Sequence, residues 1–316
     1  KAARMGAAYS NNMAGMMAAA TAARNGKQVL LMEKMEKAGR KIRITGKGRC
    51  NLTNARPPEE FMEKVRTNTD FFSVAFAEFN NRSTVRFFER QGVKLETERG
   101  ERVFPKSGKA WDIANALVDF CLDKGVKIVY NTQVTAIETL GGKVTGVRYR
   151  NARGFERREE ASYVIVCTGG VSYPSTGSTG DGYAMAKALG HTIVEPQGSL
   201  GPLETAGSDC PDMQGLALRN VAVKLLNAKG KVLYKDFGEL LFTHFGVSGP
   251  MILSASSHMR NMEKGRYTIH IDFKPALTYE QLDKRIQRDL LESSVQHQAC
   301  SLNKYVLHLY RWHKGL

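Results

Sequence analysis

The sequence predicts an α/β protein whose first part carries a parallel sheet and whose later part is β-rich. An alanine-rich helical stretch runs directly into a short, branched apolar run, Gln28-Val-Leu-Leu-Met-Glu33, and a second such run, Ala161 to Cys167, opens onto a glycine-rich segment and another helix. Strands buried on both faces and alternating with helices are the grammar of a parallel sheet covered by helices. After Pro196 the texture changes to hairpins, which marks a second domain of another kind.

The elements follow in order. Ala14 to Asn25 (AGMMAAATAARN) is expected to be a helix, because its residues have high helix propensity and small side chains recur at spacings of three and four; Gly26 stops it. The residues before it, ARMGAAY, lack β-branched side chains and make a poor strand. Asp70 to Asn80 and Ser83 to Gln91 are expected as two helices burying Phe71, Phe72, Phe76, Phe79, Phe87 and Phe88. Val93 to Val103 is expected as a hairpin around Arg99-Gly100, Ala110 to Asp123 as an amphipathic helix, and Lys127 to Arg150 as a meander turning at Gly141-Gly142. The strand Ala161 to Cys167 leads into Thr168 to Gly182 and a helix from Tyr183 to Leu189. In the later part, Asn220 to Leu226 and Val232 to Tyr234 face each other across Ala228-Lys229-Gly230, with Arg266 to Phe273 beyond them. Thr278 to Ser293 is a helix opened by a Thr278/Gln281 capping box.

Composition narrows the function class. A chain of 316 residues with 42% hydrophobic content builds a real core in about two domains, which excludes disorder. The net charge of +15 would suit a polyanion, yet no RNA- or DNA-binding signature accompanies the dispersed cations, so the expectation is no nucleic-acid partner. Five cysteines without a C-x-x-C pair indicate neither a zinc ribbon nor a disulfide framework, and no metal site is expected; a reducing cytoplasm fits best. No run approaches a membrane span, and no leader with a Leu-rich core is present. The chain starts at Lys rather than Met, so upstream residues are expected.

Three segments hold the chemistry. The helix start at Ser10-Asn-Asn-Met-Ala-Gly15 lies where a dinucleotide fingerprint would, and Glu33 follows Gly15 by 18 residues, near the ~20 expected before a ribose-binding acid. Only the third glycine of the fingerprint survives, so a nucleotide site and an ordinary capped helix are both open readings. The second segment, Gly39 to Asn54, holds Arg40, Lys41, Arg43, Lys47 and Arg49 among glycines but does not have Walker A spacing; it suits a phosphate-bearing ligand or is a solvated basic loop. Its Cys50 has cations nearby that would lower the thiol pKa, but no adjacent His or acid, so a structural or cofactor-facing thiol is expected. The third, Thr168-Gly169-Gly170 onward, places backbone amides at the carboxyl edge of a sheet, where α/β proteins bind ligands.

Together these stretches resemble the bacterial NAD(P)/FAD-dependent flavoproteins that include aminoacetone oxidases and a BaiN-type bile-acid reductase. The resemblance rests on AGMMAA at Ala14, KQVLLMEK at Lys27, Gly39 to Asn54, RVFPKS at Arg102, VIVCTGGVSYPSTGSTGDGY at Val164 and LFTHFGVSGPMIL at Leu241. It implies a Rossmann-type FAD-binding domain (1–195) interrupted by a β-rich, partly helical insert (196–294), with 295–316 an unassigned tail. It further implies that Gly15 opens the pyrophosphate-facing helix and that Glu33 binds the adenosine ribose. Lys34, Arg40, Lys41 and the loop with Gly46, Gly48, Arg49, Cys50 and Asn51 would line the FAD path. Val134 would meet the adenine through its backbone, and Thr168, Gly169 and Gly170 would touch FAD at the sheet edge.

The implied activity is hydride transfer between flavin and a small organic substrate, with any NAD(P)H docking transiently as reductant because no second dinucleotide fingerprint exists. Tyr173, Asp181 and His244 are acid–base candidates by position only. Family members begin with a glycine-rich turn, replaced here by AAYSNN, and continue past this chain's end. Both departures fit a shortened or frame-shifted reading frame, and the rival to a working holoenzyme is a cofactor-free remnant acting at most as a binding protein.

Overall fold

The computed structural model describes residues 4–10, 13–263 and 265–295, with side chains described for 13–263 and 265–288. The chain divides into two units, Lys1–Pro196 and Gln197–Leu316.

The first unit begins with β1 (Arg4–Ser10), α1 (Met13–Arg24), β2 (Gln28–Met32), α2 (Arg40–Ile44), β3 (Thr53–Asn54), α3 (Pro58–Met62), α4 (Thr69–Glu78) and α5 (Asn81–Arg90). It continues with β4 (Leu95–Glu98), β5 (Arg102–Pro105), α6 (Ala110–Asp123), β6 (Lys127–Val129), β7 (Gln133–Leu140), β8 (Lys143–Arg150), β9 (Glu156–Glu160), β10 (Ile165–Cys167) and α7 (Asp181–Ala188). Its main sheet is parallel, in the order β10-β1-β2-β6. Two small antiparallel sheets, β3-β5-β4 and β7-β8-β9, are built from the intervening chain.

Helix α1 turns Gly15, Met16, Ala19 and Ala20 inward, a spacing of three and four that makes one narrow face, small apart from Met16. That face lets the helix approach the sheet closely, and α6 packs beside it, the Cys121 thiol donating to the Met16 carbonyl at 3.3 Å. Met16, Leu31, Phe88, Ile113 and Leu117 fill the core between them. A fully buried leucine of this kind contributes roughly 2 kcal/mol.

Four expectations are corrected. Arg4–Ser10 (RMGAAYS), most of the run expected to make a poor strand, forms β1 after all, an interior strand hydrogen-bonded in parallel to β10 on one side and β2 on the other; pairing on both edges overrides weak intrinsic preference. Phe76 and Phe88 are buried and Phe87 partly so, but Phe71, Phe72 and Phe79 are 86%, 37% and 44% exposed, because α4 presents only one residue, Phe76, to the interior. Lys127 to Arg150 is not one meander: β6 joins the parallel sheet, while β7 and β8 form a hairpin closed at Leu140 and Lys143. The strand expected from Ala161 shortens to Ile165–Cys167 and is half-exposed, since among the described residues β10 pairs only with β1.

The second unit contains β11 (Leu203–Glu204), α8 (Asp209–Asp212), β12 (Ala217–Asn227), β13 (Val232–Thr243), β14 (Gly246–Ser248), α9 (Pro250–Ser256), β15 (Tyr267–Asp272) and α10 (Tyr279–Val295). Its antiparallel sheet runs β11-β14-β13-β12-β15. Val221, Val223, Leu240, Phe242 and Ile252 form its core. The capping box at the start of α10 is present, with Thr278 N–H donating to Gln281 Oε1 at 2.9 Å and Gln281 N–H to Thr278 Oγ1 at 3.3 Å. Apart from Val295, the unassigned tail lies outside the described residues, as do Asn11 and Asn12. Among the described residues no helix is long and apolar enough to cross a membrane.

Candidate functional site

In the main sheet the chain passes from β1 to β2 on one side, and β10 lies on the other. Such a reversal of winding opens a crevice at the carboxyl ends of the strands. Three features converge there. Ser10, at the end of β1, pairs with Cys167, so Thr168-Gly169-Gly170 leaves the sheet beside it. Helix α1 starts at Met13 and carries the buried Gly15 in its first turn, which directs its amide-rich, positive end toward this edge. Gly169 takes φ +72°, a left-handed turn that a side chain would strain.

Glu33 follows β2 at the same edge. It is 1% exposed, its backbone tied to Val129 and Thr132 and its Oε1 accepting from Met35 N–H at 2.9 Å. Burial pushes its carboxyl up to about 8, the Met35 amide opposing this only in part. The nearby phenol of Tyr130 is pushed up as well, by its own burial first and by Glu33 second. A buried carboxyl at the edge of a parallel sheet is a hydrogen-bonding group held out of water, suited to polar hydrogens that a ligand would bring.

The glycine-rich loop after β10 is clamped by two lysines. Lys34 Nζ reaches Asp181 Oδ2 at 2.9 Å and Thr179 Oγ1 at 2.6 Å, and Thr179 in turn donates to Asp181 Oδ1 at 2.7 Å. Lys41 Nζ donates to the Ser172 carbonyl at 2.8 Å. Both ammoniums are thus spent on positioning the loop. Gln133, at 3.4 Å from Asp181 Oδ2, and Thr179 belong to this clamp; Thr179 lies in the glycine-rich run singled out in the sequence, whereas Gln133 carries no signal there. The Lys34–Asp181 pair is about four-fifths buried on both sides. Lys34→Met is expected to destabilise the first unit by about 1–2 kcal/mol, seen as a lower urea midpoint.

The basic loop divides into paired and unpaired charges. Arg40 pairs with Glu36 at 3.0 Å. Arg49 pairs with Glu98 and lies over the Phe104 ring at 4.4 Å. Arg43 stacks on Trp111 at 3.5 Å, donates to the Ala38 carbonyl and to Asn115, and keeps its Nη1 buried without a hydrogen-bond partner among the described residues. Gly46, Lys47 and Gly48 all take positive φ. A Cβ on Gly46 would lie 2.9 Å from the Asn51 amide nitrogen, so only glycine allows the loop to close on itself.

The expected lowering of the Cys50 thiol is overturned. Cys50 is 3% exposed at φ +60°, and burial pushes its pKa up; the cations nearby point elsewhere. Val134 is buried with Met32, Val147 and Met185, and Thr168 is buried. Tyr173 is exposed at φ +53°, its carbonyl accepting from Thr176 N–H and Oγ1. His244 lies in the second unit, its ring against Phe245 at 4.9 Å.

Residues 11–261 match the family described as HI0933-like protein Rossmann domain. The chain belongs to the HI0933-like family. Its first unit is therefore a Rossmann-type domain, as the parallel sheet and the crevice at its edge already indicated. This HI0933-like chain is 30% identical over 276 residues to the ribosomal RNA dihydrouridine synthase of Haemophilus influenzae, covering 84% of this chain and 65% of that protein. It is 29% identical over 288 residues to the 3-dehydro-bile acid delta(4,6)-reductase of Clostridium scindens, covering 87% of this chain and 66% of that protein. The HI0933-like chain thus spans just under two thirds of the length of these relatives. A solved 3-ketosteroid-delta4-(5alpha)-dehydrogenase from Rhodococcus jostii RHA1 is 16% identical over 71% of this chain and 56% of its own, with a TM-score of 0.48.

Proposed function

We propose that residues 1–195 bind FAD at the carboxyl edge of the parallel sheet and that the chain acts as an FAD-dependent oxidoreductase on a small organic substrate, with NAD(P)H as a transient reductant. The carrying observation is the buried carboxyl of Glu33 just after β2, at the same sheet edge where β1 leads into α1 and the winding reverses. The donor set suits the cofactor. The α1 start, with Gly15, would face the pyrophosphate, and Glu33 would accept from the ribose hydroxyls. Val134, through its backbone, would meet the adenine. Thr168, Gly169 and Gly170 would lie along the cofactor at the sheet edge, and the Gly46–Asn51 loop would border the flavin end.

The isoalloxazine, when bound, supplies the hydride chemistry. The protein's share is positioning: Lys34 and Lys41 hold the loop from Ser172 to Asp181 in place, and the Arg43 guanidinium offers a buried N–H to an anionic or carbonyl group. The four described cysteines are free thiols, which supports a cytoplasmic setting. The purified chain is expected to show flavin absorbance that bleaches when NADPH or NADH is added without oxygen. A colourless protein that takes up no added FAD would make it the cofactor-free remnant instead.

A second reading concerns the substrate. One relative is named for dihydrouridine synthesis in ribosomal RNA, and this chain's net charge of +15 favours a polyanionic substrate over a neutral one. In that reading the same flavin site would act on a base presented from RNA.

A further inference from the structure

The second unit's sheet carries a row of basic groups on the face turned away from its core. Lys224 on β12 stands directly opposite Lys235 on β13 and His270 on β15. Residues directly opposite in antiparallel strands project to the same side. The flanking residues Val221, Val223 and Leu225 are buried, with Ile269 and Ile271 packed toward the same core as Val221 and Val223. Lys224, Lys235 and His270 therefore project from the other face, and all three are exposed. The next row on that face is Phe237, Ala222 and Asp272. Phe237 is 58% exposed, two residues along β13 from Lys235.

Two lysines held face to face at the centre of a sheet repel each other, by roughly 0.2–1 kcal/mol, and give folding nothing in return. Neither makes an ion pair among the described residues. None of the acids nearby reaches them: Asp272 Oδ1 accepts from Lys274 N–H at 3.0 Å, Glu239 lies 3.8 Å from Arg219, and Asp236 accepts from Tyr234 and from Phe237 N–H. A sheet face with cations beside an exposed aromatic ring matches the two needs of an unpaired nucleic-acid strand, counter-charges for phosphates and a surface for a base to stack on.

We infer that this face, with Lys224, Lys235 and Phe237, is a docking surface for single-stranded RNA. The inference rests on the second reading above and deepens it by assigning the RNA to the insert's sheet. It would also account for part of the positive charge that the cofactor site does not use.

The test is fluorescence anisotropy of a labelled oligouridylate of about 12 nucleotides against the full chain, with inorganic polyphosphate as a base-free competitor. Lys224→Glu/Lys235→Glu is expected to weaken RNA binding more than tenfold and to reduce the salt slope by about 1.4, two phosphates at ~0.7 each. Phe237→Ala is expected to weaken RNA binding by about tenfold while leaving polyphosphate competition unchanged. Melting temperature and flavin content should match the wild type in each variant. RNA binding by the wild type that neither variant alters would overturn this surface but leave the RNA reading standing. Equal loss of RNA and polyphosphate in Phe237→Ala would overturn the stacking role and hence the docking mode. A wild-type chain that binds no RNA would sink both.

Discussion

Replacing Glu33 with Gln is expected to raise the stability of the first unit at pH 9 by on the order of 4 kcal/mol while leaving it nearly unchanged at pH 5. In the folded protein burial holds the Glu33 carboxyl up at about 8, from an ordinary value of 4.5. Between those two values the folded state keeps a proton that the unfolded chain releases, so stability falls as pH rises. It is fully present below the unfolded value and lost as pH passes through the folded one. Gln keeps an acceptor for Met35 N–H but has no proton to lose. Thermal melts from pH 5 to pH 9 should show wild-type stability falling away while the Glu33→Gln variant stays level, with a gap of about 10 °C at the alkaline end. Parallel curves would show that Glu33 is not the buried acid described.

Gly182→Ala is expected to be the most damaging single-methyl change at the site. Gly182 lies in the first turn of α7, and a Cβ there would fall inside contact distance of Thr168 Oγ1 and 3.1 Å from Val166 Cγ1. Thr168 is buried and cannot swing into solvent, so the helix must shift from the end of β10. Overpacking of this kind costs about 2–3 kcal/mol, and the shift would pull Asp181 away from Lys34. Gly190→Ala serves as the control: Gly190 has φ +88° but open space around it, so only backbone strain of about 1 kcal/mol is expected. Urea midpoints should separate the two; an alanine at 182 no worse than one at 190 would remove the tight contact from the account.

Part of this site was legible in the sequence and part was not, for identifiable reasons. The run Gln28–Met32 is short, apolar and followed by an acid, so both the buried strand and the place of Glu33 were readable. β1 was not, because its identity comes from hydrogen bonds to β10 and β2 and not from Gly6, Ala7 or Ala8. Five cations in the basic loop suggested a phosphate cradle, but Arg49 pairs with Glu98, a residue of the later hairpin that local reading could not bring alongside. The Lys34–Asp181 clamp joins residues 147 apart, and no spacing rule reaches that far. The aromatic residues of α4 misled because hydrophobicity alone does not say which face meets a core; only Phe76 does.

The most direct test of the central assignment is an equilibrium titration of the purified chain with FAD and, separately, with FMN, repeated on Glu33→Gln. If the sheet edge holds the adenosine half of the cofactor through Glu33, FAD binds, FMN binds far more weakly, and the substitution weakens FAD by roughly 10-fold through loss of the carboxyl's hydrogen bonds to the ribose hydroxyls, with no effect on FMN. Equal binding of FAD and FMN, untouched by the change at Glu33, would contradict it.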